Sequence, residues 1–297
     1  MAKIYVSGLI NTETTVKVQE FPIPYYPIDY PFFGVQTTVS GVGYNLAKAF
    51  TALGDRVALA SYLGNDTTAE VILTQLQRDG IDLSLIRREL GQTPASVVLY
   101  DNDGRRQIYC DLKDIQERSY PVREDGHRDQ DVVVACNINF NRELLHMARK
   151  LGKLVATDVH VLSDVEDGYN REFMENANIL FLSDEGLPCG PQEFVAALAG
   201  RYGSDIIVLG RGDKGASLYV KAENAYHELP CVQTECVVNT VGAGDARFSG
   251  FLHFYTEGFD PVMALWYAQI FASAKISAQG GAQGFLSEAE VMGRYMQ

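Results

Sequence analysis

The most informative stretch of this 297-residue chain is Asn239-Thr240-Val241-Gly242-Ala243-Gly244-Asp245-Ala246-Arg247-Phe248. It follows the β-rich run Cys236-Val237-Val238 and precedes a segment whose apolar residues have helical spacing. Gly242 and Gly244 allow the backbone amides at this helix start to approach a ligand closely. A helix N-terminus with unpaired amides binds anions, so the stretch predicts a phosphate site. We expect Asp245 to take a proton from an attacking hydroxyl while the amides stabilise phosphoryl charge.

A structural role for Asp245 also fits the sequence. Aspartate is a favoured N-cap residue, and its carboxylate would then only close the first turn of the helix. The four residues from Gly242 to Asp245 do not by themselves separate catalysis from capping. Both roles stay open on the sequence alone.

A second glycine turn enters a helix near the N-terminus, in Ser40-Gly41-Val42-Gly43-Tyr44-Asn45-Leu46-Ala47. Apolar residues between Leu46 and Leu53 recur at the spacing of one helix face. Asn45 is therefore predicted in the first helical turn, with its amide free to bind a hydroxyl-rich ligand. A plain entry from loop to helix would give the same pattern.

Short apolar strands alternate with amphipathic helices along most of the chain, which indicates an α/β protein. Continuous apolar strands of this kind are typical of a mostly parallel sheet covered on both faces. The predicted strands are 4–7, 56–61, 132–135, 154–157, 179–182 and 206–209. The predicted helices are 44–53, 67–78, 141–151, 191–201, 242–257, 261–279 and 287–295.

Two β-rich segments, residues 12–39 and 96–111, interrupt this alternation. The second contains Asp101-Asn102-Asp103-Gly104, a strong hairpin signal between two strand-like runs. We expect the two segments to form a small antiparallel sheet outside the main one. The first segment is rich in aromatic rings, which suit either stacking on a nucleoside-like ligand or packing in a lid or dimer interface. These rings are Tyr25, Tyr26, Tyr30, Phe32 and Phe33.

The charge balance argues against several classes of partner. The chain has 25 Lys and Arg residues against 38 Asp and Glu residues, a net charge of −13. Such a surface repels phosphate backbones and anionic lipids, so we expect neither nucleic acid nor membrane as a partner. No apolar stretch approaches the roughly 20 residues of a spanning helix, and the N-terminus lacks a signal-peptide pattern. Five cysteines without a Cys-x-x-Cys pair indicate free thiols and a cytoplasmic location.

Other nucleotide and metal motifs do not fit. The chain contains no Gly-x4-Gly-Lys-Ser/Thr sequence, which excludes a P-loop. Gly41-Val42-Gly43 and Gly242-Ala243-Gly244 both lack the third glycine of a dinucleotide fingerprint. The five histidines show no metal-binding spacing. An NAD-dependent oxidoreductase would share only the fold class.

Taken together, the two glycine turns resemble the two signatures of the ribokinase / PfkB family of carbohydrate and nucleoside kinases. The N-terminal signature corresponds to Ser40–Ala47, continuing through Leu63-Gly64-Asn65-Asp66, and the C-terminal one to Asn239–Asp245. Both occur in order and at the usual separation, and the resemblance covers essentially the whole chain. It implies a ribokinase-like three-layer α/β/α sandwich with a mostly parallel central sheet, in a single domain over 1–297. The lid would be a small β-sheet formed by roughly 12–39 and 96–111.

The resemblance also implies roles for individual residues. Asp245 matches the catalytic base, and Gly242, Ala243 and Gly244 match the anion hole. On the substrate side, Gly41 and Asn45 match residues that contact substrate hydroxyls. Asn11 and Glu13 lie where the family has an Asn-x-Asp substrate pair, and Glu13 has a longer reach than the usual Asp.

On the nucleotide side, the resemblance implies contacts with ATP and Mg²⁺. The expected nucleotide-binding residues are Ser183, Gly210, Gly212, Gly215 and Thr240. Asp184 and Glu185 are the candidate metal residues, since Gly186 replaces the final acid of an Asn-x-x-Glu motif. K⁺ is a further expected cofactor, although Asn239 stands where the family has an Asp near that cation. Arg247 replaces a common apolar residue and would either meet phosphate or lie on the surface.

The resemblance therefore predicts an ATP-dependent kinase that phosphorylates a hydroxymethyl group of a sugar or nucleoside. A homodimer formed through the lid is expected. The alternative is a non-catalytic sensor of the same fold that binds nucleotide or sugar, since Gly186 and Asn239 depart from the family pattern.

Overall fold

A nine-stranded sheet lies at the centre of the protein, and a four-stranded sheet lies beside it. The computed structural model describes residues 1–103, 105–122, 129–234, 237–238 and 240–295. The strands are β1 (Lys3–Ser7), β2 (Asn11–Lys17), β3 (Val35–Ser40), β4 (Arg56–Gly64), β5 (Ile86–Leu90), β6 (Ala95–Tyr100), β7 (Arg106–Asp111), β8 (Val132–Ala135), β9 (Leu154–Val161), β10 (Ile179–Ser183), β11 (Ile206–Gly210), β12 (Ala216–Val220) and β13 (Ala225–Leu229). The helices are α1 (Val42–Leu53), α2 (Thr67–Arg78), α3 (Arg142–Lys150), α4 (Arg171–Asn176), α5 (Pro191–Tyr202), α6 (Ala243–Thr256), α7 (Pro261–Lys275) and α8 (Glu288–Tyr295).

The central sheet is mostly parallel. Its strand order is β13-β12-β11-β10-β9-β8-β1-β4-β5. The seven strands from β11 to β5 in this order pair in parallel, whereas β12 and β13 pair antiparallel at one edge. The carboxyl ends of the parallel strands meet along one side of the sheet, where α/β proteins bind ligands.

Helices cover both faces of the central sheet. Phe50 of α1 and Phe251 of α6 belong to the core on one face, and Phe173 of α4 and Phe194 of α5 belong to the core on the other. Each such side chain stabilises the fold by about 1.5–3 kcal/mol when it is fully buried. The predicted three-layer α/β/α sandwich with a mostly parallel sheet is confirmed.

The second sheet takes strands from both β-rich segments, in the order β3-β2-β6-β7. Strands β2 and β3 pair antiparallel, as do β6 and β7, but β2 and β6 pair in parallel. The expectation of a wholly antiparallel sheet was therefore wrong. Strand β6 follows β5 of the central sheet and enters the second sheet by a crossover, so it runs in the same direction as β2.

The turn between β6 and β7 is held by Asp101. Its carboxylate accepts hydrogen bonds from the backbone N–H groups of Asp103 and Arg105, at 3.0 and 2.9 Å. An aspartate that bonds to the backbone two residues ahead in this way is a common turn former. Gly104, part of the predicted hairpin signal, lies outside the described residues.

Some elements differ from the sequence prediction. Strand β13 was missed because Ala225–Leu229 contains Tyr226, His227 and Glu228 and is only partly buried, without a run of apolar residues. Helix α7 ends at Lys275 rather than Gln279, and turns follow it. Among the described residues, no helix is long and apolar enough to cross a membrane.

Two glycines bring α1 against the end of β1. A Cβ atom at Gly43 would lie 2.7 Å from the carbonyl carbon of Gly8. A Cβ atom at Gly8 would lie 2.5 Å from the Sγ atom of Cys136, which follows β8. These distances are too short for a side chain, so the two glycines fix the position of α1 above the sheet edge.

A buried hydrogen bond joins α6 to the turn after α1. The His253 Nδ1 atom lies 2.8 Å from Asp55 Oδ2, and both side chains are buried. The other oxygen of Asp55 accepts a hydrogen bond from the N–H of Ala2 at 3.0 Å. Helices α1 and α6 pack directly on each other, and this bond fixes their relative position.

Replacing Asp55 with alanine is expected to lower the free energy of unfolding by about 3–5 kcal/mol, because His253 and the Ala2 amide lose their buried partner. Urea denaturation followed by circular dichroism measures the change. Glu175→Ala, on the exposed side of α4, serves as the control and should change the value by less than about 0.5 kcal/mol. Equal effects of the two substitutions would contradict the role of Asp55.

Candidate active site

Helix α6 begins at the carboxyl edge of the central sheet with the turn that contains Gly242. Gly242 is the N-cap and has a φ of 79°, in the left-handed region. A Cβ atom at this position would lie 2.2 Å from the carbonyl oxygen of Gly281, so only glycine fits. The Ala243 amide bonds to the Thr240 carbonyl at 3.2 Å. The amides of Gly244 and Asp245 follow in the first turn, where a helix offers no acceptor for them.

Asp245 is the third residue of α6 and does not cap it. The described structure shows no side-chain hydrogen bond at the N-cap. Instead, one Asp245 oxygen accepts a hydrogen bond from the side-chain amide of Asn45, at 2.7 Å. Asn45 lies in α1, 200 residues away in sequence. The capping alternative was therefore wrong, and Asp245 faces a polar site.

The surroundings of Asp245 shift its protonation equilibrium. Burial raises the pKa of its carboxyl group to about 6, and the Asn45 hydrogen bond, His160 and Lys275 oppose that rise. Asp158 favours the protonated form because it is a second acid nearby. A carboxylate whose pKa is near 6 is ionised at neutral pH and still accepts a proton, as a general base requires.

Two residues of β2 face the same site. Asn11 and Glu13 are both buried, and the Asn11 amide donates a hydrogen bond to Ser96 of β6 at 3.1 Å. The Ser40 hydroxyl donates to Glu13 Oε2 at 3.3 Å. Burial raises the pKa of Glu13, and the nearby Asp245 adds to that rise. Glu13 and Asp245, distant in sequence, thus belong to one electrostatic cluster.

The two predicted hydroxyl-binding residues of the first glycine turn differ in their environment. Gly41 caps α1 with a φ of 99°, and a Cβ atom there would lie 2.5 Å from the Leu9 carbonyl oxygen. Packing therefore explains this glycine without a ligand. Asn45 lies near the start of α1, its amide nitrogen already donates to Asp245, and its oxygen lies 3.5 Å from the Ser40 hydroxyl. Its contact with substrate hydroxyls stays a prediction.

Lys275 is a site residue that sequence reasoning missed. It is the last residue of α7 and has no exposed surface (0 %). Burial lowers the pKa of its ammonium group to about 8, while Asp245 and Glu13 both stabilise its charge. The sequence does contain a sign that Lys275 is buried, because it directly follows the small residues Ala272-Ser273-Ala274 of a mostly apolar helix.

The predicted nucleotide residues lie at neighbouring strand ends. Ser183 ends β10 and pairs with Gly210 at the end of β11. Gly212 and Gly215 flank the turn into β12, and a Cβ atom at Gly215 would lie 2.1 Å from the Leu229 carbonyl oxygen. Gly215 therefore has a packing role, and its contact with nucleotide stays a prediction.

Thr240 is linked to the second sheet by Arg106 of β7. The Arg106 guanidinium lies 3.4 Å from the Thr240 hydroxyl and 4.0 Å from the Glu185 carboxylate. The second sheet thus reaches over the candidate phosphate side of the site. Sequence reasoning did not single out Arg106, because its importance depends on how the second sheet lies over the first.

The candidate metal residues have unlike surroundings. Glu185 is exposed beside Arg106, whereas Asp184 is half-buried and faces the guanidinium of Arg247. Arg247 is half-buried rather than fully exposed, and its guanidinium lies beside Gly210, where an added Cβ atom would be 2.5 Å from it. Within the described ranges, no group of three His, Cys, Asp or Glu side chains could hold a metal ion by itself.

Besides Gly104, two positions discussed above lie outside the described residues. They are Asn239, where the family pattern has an acid near a monovalent cation, and Cys236. The remaining four cysteines, Cys110, Cys136, Cys189 and Cys231, have free thiols.

This geometry places an acid and backbone amides that have no acceptor within the helix at the same helix start. An acid in such a place can accept a proton, and such amides can stabilise negative charge on a transferring group. Asn11, Glu13 and Asn45 supply polar atoms around that acid. The three-layer fold and this arrangement are those of an α/β phosphotransferase.

The chain belongs to the pfkB family of carbohydrate kinases, whose profile matches residues 1–288. It is therefore a carbohydrate kinase, a phosphotransferase with an alcohol group as acceptor. Nothing in the comparisons favours the alternative of a non-catalytic sensor.

Kinases and phosphotransferases are found among its relatives by sequence and by structure. Acarbose 7(IV)-phosphotransferase of Actinoplanes sp. is 25% identical over 273 residues, which cover 90% of this chain and 89% of that protein. Fructosamine kinase FrlD of Bacillus subtilis is 27% identical over 255 residues, covering 82% and 86%. The solved structure of the microbiome-derived acarbose kinase Mak1 matches with a TM-score of 0.87 at 21% identity, over 100% of this chain and 99% of that one.

Replacing Asn45 with alanine is expected to move the acid limb of the kcat/KM–pH profile upward by about one pH unit. Asn45 donates a hydrogen bond to the ionised form of Asp245, so its removal raises the pKa of Asp245. Initial rates across about pH 5–9 measure the shift. Asn102→Ala, on an exposed loop, is the control. An unchanged acid limb with Asn45→Ala would show that this hydrogen bond does not control the base.

Proposed function

We propose that this kinase transfers the γ-phosphoryl group of ATP to a hydroxymethyl group of a sugar or nucleoside, with Asp245 as the base. The observation that carries the proposal is the position of Asp245 beside the amides at the start of α6 that have no acceptor within the helix, with Asp245 hydrogen-bonded to Asn45. The acceptor hydroxyl gives its proton to Asp245 as its oxygen attacks the γ-phosphorus, the bond from that phosphorus to the β–γ bridging oxygen breaks, and ADP leaves. The amides of Gly244 and Asp245 then stabilise charge on the transferring group.

Recognition of the acceptor is assigned to the buried polar atoms around Asp245. Asn11 Oδ1 and Glu13 Oε1 are buried and have no hydrogen-bond partner among the described residues. Buried acceptors normally find donors, and the hydroxyl groups of a sugar or of a ribose ring supply them. Asn45 holds Asp245 in place and completes this side of the site.

The nucleotide is assigned to the strand ends on the other side of α6. Ser183 and Gly210 are adjacent there, and Gly212, Gly215 and Thr240 follow in nearby turns. Mg²⁺ bound to nucleotide needs few protein carboxylates, since phosphates and water supply the remaining ligands, and the half-buried Asp184 fits this role better than the exposed Glu185. When bound, the ion neutralises phosphate charge.

The second sheet excludes water from the reaction in this proposal. It brings β2 over the acceptor side, and Arg106 of β7 over the phosphate side. Water competes with the sugar as a phosphoryl acceptor, so covering the site protects ATP from hydrolysis.

Replacing Asp245 with asparagine is expected to lower kcat by about 10²–10⁴-fold with little change in acceptor binding, because asparagine keeps the shape and cannot accept the proton. ADP release is measured with a panel of pentoses, ketohexoses, aldohexoses, amino-substituted sugars and ribonucleosides. Thermal shift with the same compounds reports binding. Asp205→Asn, an exposed aspartate immediately before β11 and so at the opposite end of that strand from the site, is the matched control.

Two outcomes would contradict this function. One is an Asp245→Asn variant that keeps kcat within tenfold of the unsubstituted enzyme. The other is stabilisation of the protein by panel members without turnover of any of them, which would favour the sensor. Preference within the panel separates free sugars from nucleosides.

We also propose that the protein forms a homodimer through its second sheet. Phe33, Tyr25 and Phe32 are 99%, 89% and 84% exposed in the segment between β2 and β3. Strand β7 is an edge strand of that sheet, and all six of its residues are exposed. Exposed aromatic patches and unpaired strand edges are typical of protein–protein interfaces.

The double substitution Phe32→Ser and Phe33→Ser is expected to convert a dimer into a monomer, because it removes the two adjacent exposed rings. Sedimentation velocity at micromolar protein concentration measures the mass. Val71→Ser, an exposed apolar residue on α2, is the control. A monomeric mass for the unsubstituted protein would refute the proposal.

A cytoplasmic location is part of the proposed function. It is supported by the free thiols of the four described cysteines, which suit a reducing compartment. Activation by K⁺ stays a prediction, tested by comparing turnover in potassium and tetramethylammonium buffers.

A further inference from the structure

The ammonium group of Lys275 lies in the interior at the end of α7. Its side chain is fully buried, and its Nζ atom has no hydrogen-bond partner among the described residues. A buried charge is costly unless an opposite charge compensates it. A lysine in this position therefore needs an explanation that packing alone does not supply.

Two carboxylates provide the opposite charge without touching Lys275. Asp245 of α6 and Glu13 of β2 both interact electrostatically with its ammonium group, yet neither bonds to it. Asp245 is bonded to Asn45, and Glu13 is bonded to Ser40. Lys275 thus acts on both acids through its charge rather than through a hydrogen bond.

The two acids also disfavour each other's charge. The pKa of Glu13 is raised by burial and by Asp245, and it is lowered by Lys275 and Arg106. The pKa of Asp245 is raised by burial and by Asp158, and it is lowered by Asn45, His160 and Lys275. Arg106 and His160 are exposed side chains, so solvent screens their charges. The buried thiol of Cys136, near Asp245, stays neutral because burial raises its pKa. The exposed thiol of Cys110, near Glu13, also has a raised pKa because it is partly desolvated.

We propose that Lys275 is a positioning residue that keeps the Asp245 carboxylate ionised while Glu13 is also ionised, so that one acid accepts a proton as the other binds the acceptor. Lys275 supplies the one buried positive charge of the described cluster, against two buried negative charges. Its role in turnover rests on the proposed function. Its effect on the ionisation of Asp245 does not, and it can be measured without a substrate.

The decisive measurement is the titration of the Asp245 carboxyl group by NMR on protein labelled with ¹³C at the aspartate side-chain carboxyl. Asp245→Asn identifies the signal by removing it. Lys275→Met removes the charge and keeps the length of the side chain, and Lys275→Arg keeps the charge. Lys48→Met, which removes a partly buried lysine paired with Asp79 at 3.3 Å, is the matched control.

Lys275→Met is expected to raise the titration midpoint of Asp245 by about one pH unit or more. Lys275→Arg and Lys48→Met are expected to leave the midpoint within about 0.3 units of the unsubstituted protein. An unchanged or lowered midpoint in Lys275→Met would overturn the proposal. Lys275→Gln is the second uncharged variant, and the same criterion applies to it if methionine prevents folding.

The pH dependence of the kinetics separates positioning from a purely structural role, since a loss of packing alone lowers activity at every pH. The kcat/KM of Lys275→Met is expected to fall about twofold at pH 7 and about tenfold well below pH 6, and to recover at higher pH, as the acid limb moves up by one unit from about 6. A uniform loss at every pH would overturn the proposal. If instead the midpoint moves and Asp245→Asn remains active, the proposed function fails while the inference about Lys275 stands.

Discussion

The hydrogen bond from Asn45 to Asp245 joins the two halves of this enzyme at its candidate active site. Helix α1 presents the amide and helix α6 presents the acid, from positions 200 residues apart. The buried contact between His253 and Asp55 fixes the same two helices at their other ends. Because two hydrogen bonds hold α1 and α6 together, one near each end, the Asp245 side chain has a defined orientation before any ligand binds. Such preorganisation is what proton transfer to a fixed base requires.

Local sequence patterns predicted most of the fold. Six apolar strands of the central sheet were predicted because a strand buried on both faces leaves a continuous apolar run; they are β1, β4, β8, β9, β10 and β11. Strand β13 was not predicted, since Tyr226, His227 and Glu228 lie at an edge of the sheet where polar residues are tolerated. The parallel pairing of β2 and β6 was also missed. Pairing direction depends on how the chain crosses between sheets, and no short window of sequence encodes that.

The site was predictable to the extent that its residues lie in motifs. Asp245 and Asn45 each follow a glycine turn, and the contact between them supports their assignment to one site. Lys275 and Arg247 were harder, because an isolated basic residue in a helix is usually solvated. Only the packed structure shows that Lys275 ends α7 inside the protein and that Arg247 lies against Gly210. Gly41 and Gly215 were predicted to bind ligands, but close packing of the backbone is enough to explain a glycine at both positions.

Strand β2 belongs to the second sheet, yet it carries Asn11 and Glu13, while Asp245 lies at the start of α6, a helix that covers the central sheet. In the proposed function, recognition and chemistry are thus divided between two bodies, the second sheet and the three-layer core. The chain joins them at several points, including those between β1 and β2, between β3 and α1, and between β5 and β6. Any hinge movement of one body against the other changes the separation between the acceptor-binding groups and the base. An acceptor of the wrong shape would not bring the two bodies into the correct relative position. Its turnover number would therefore be lower, as well as its affinity.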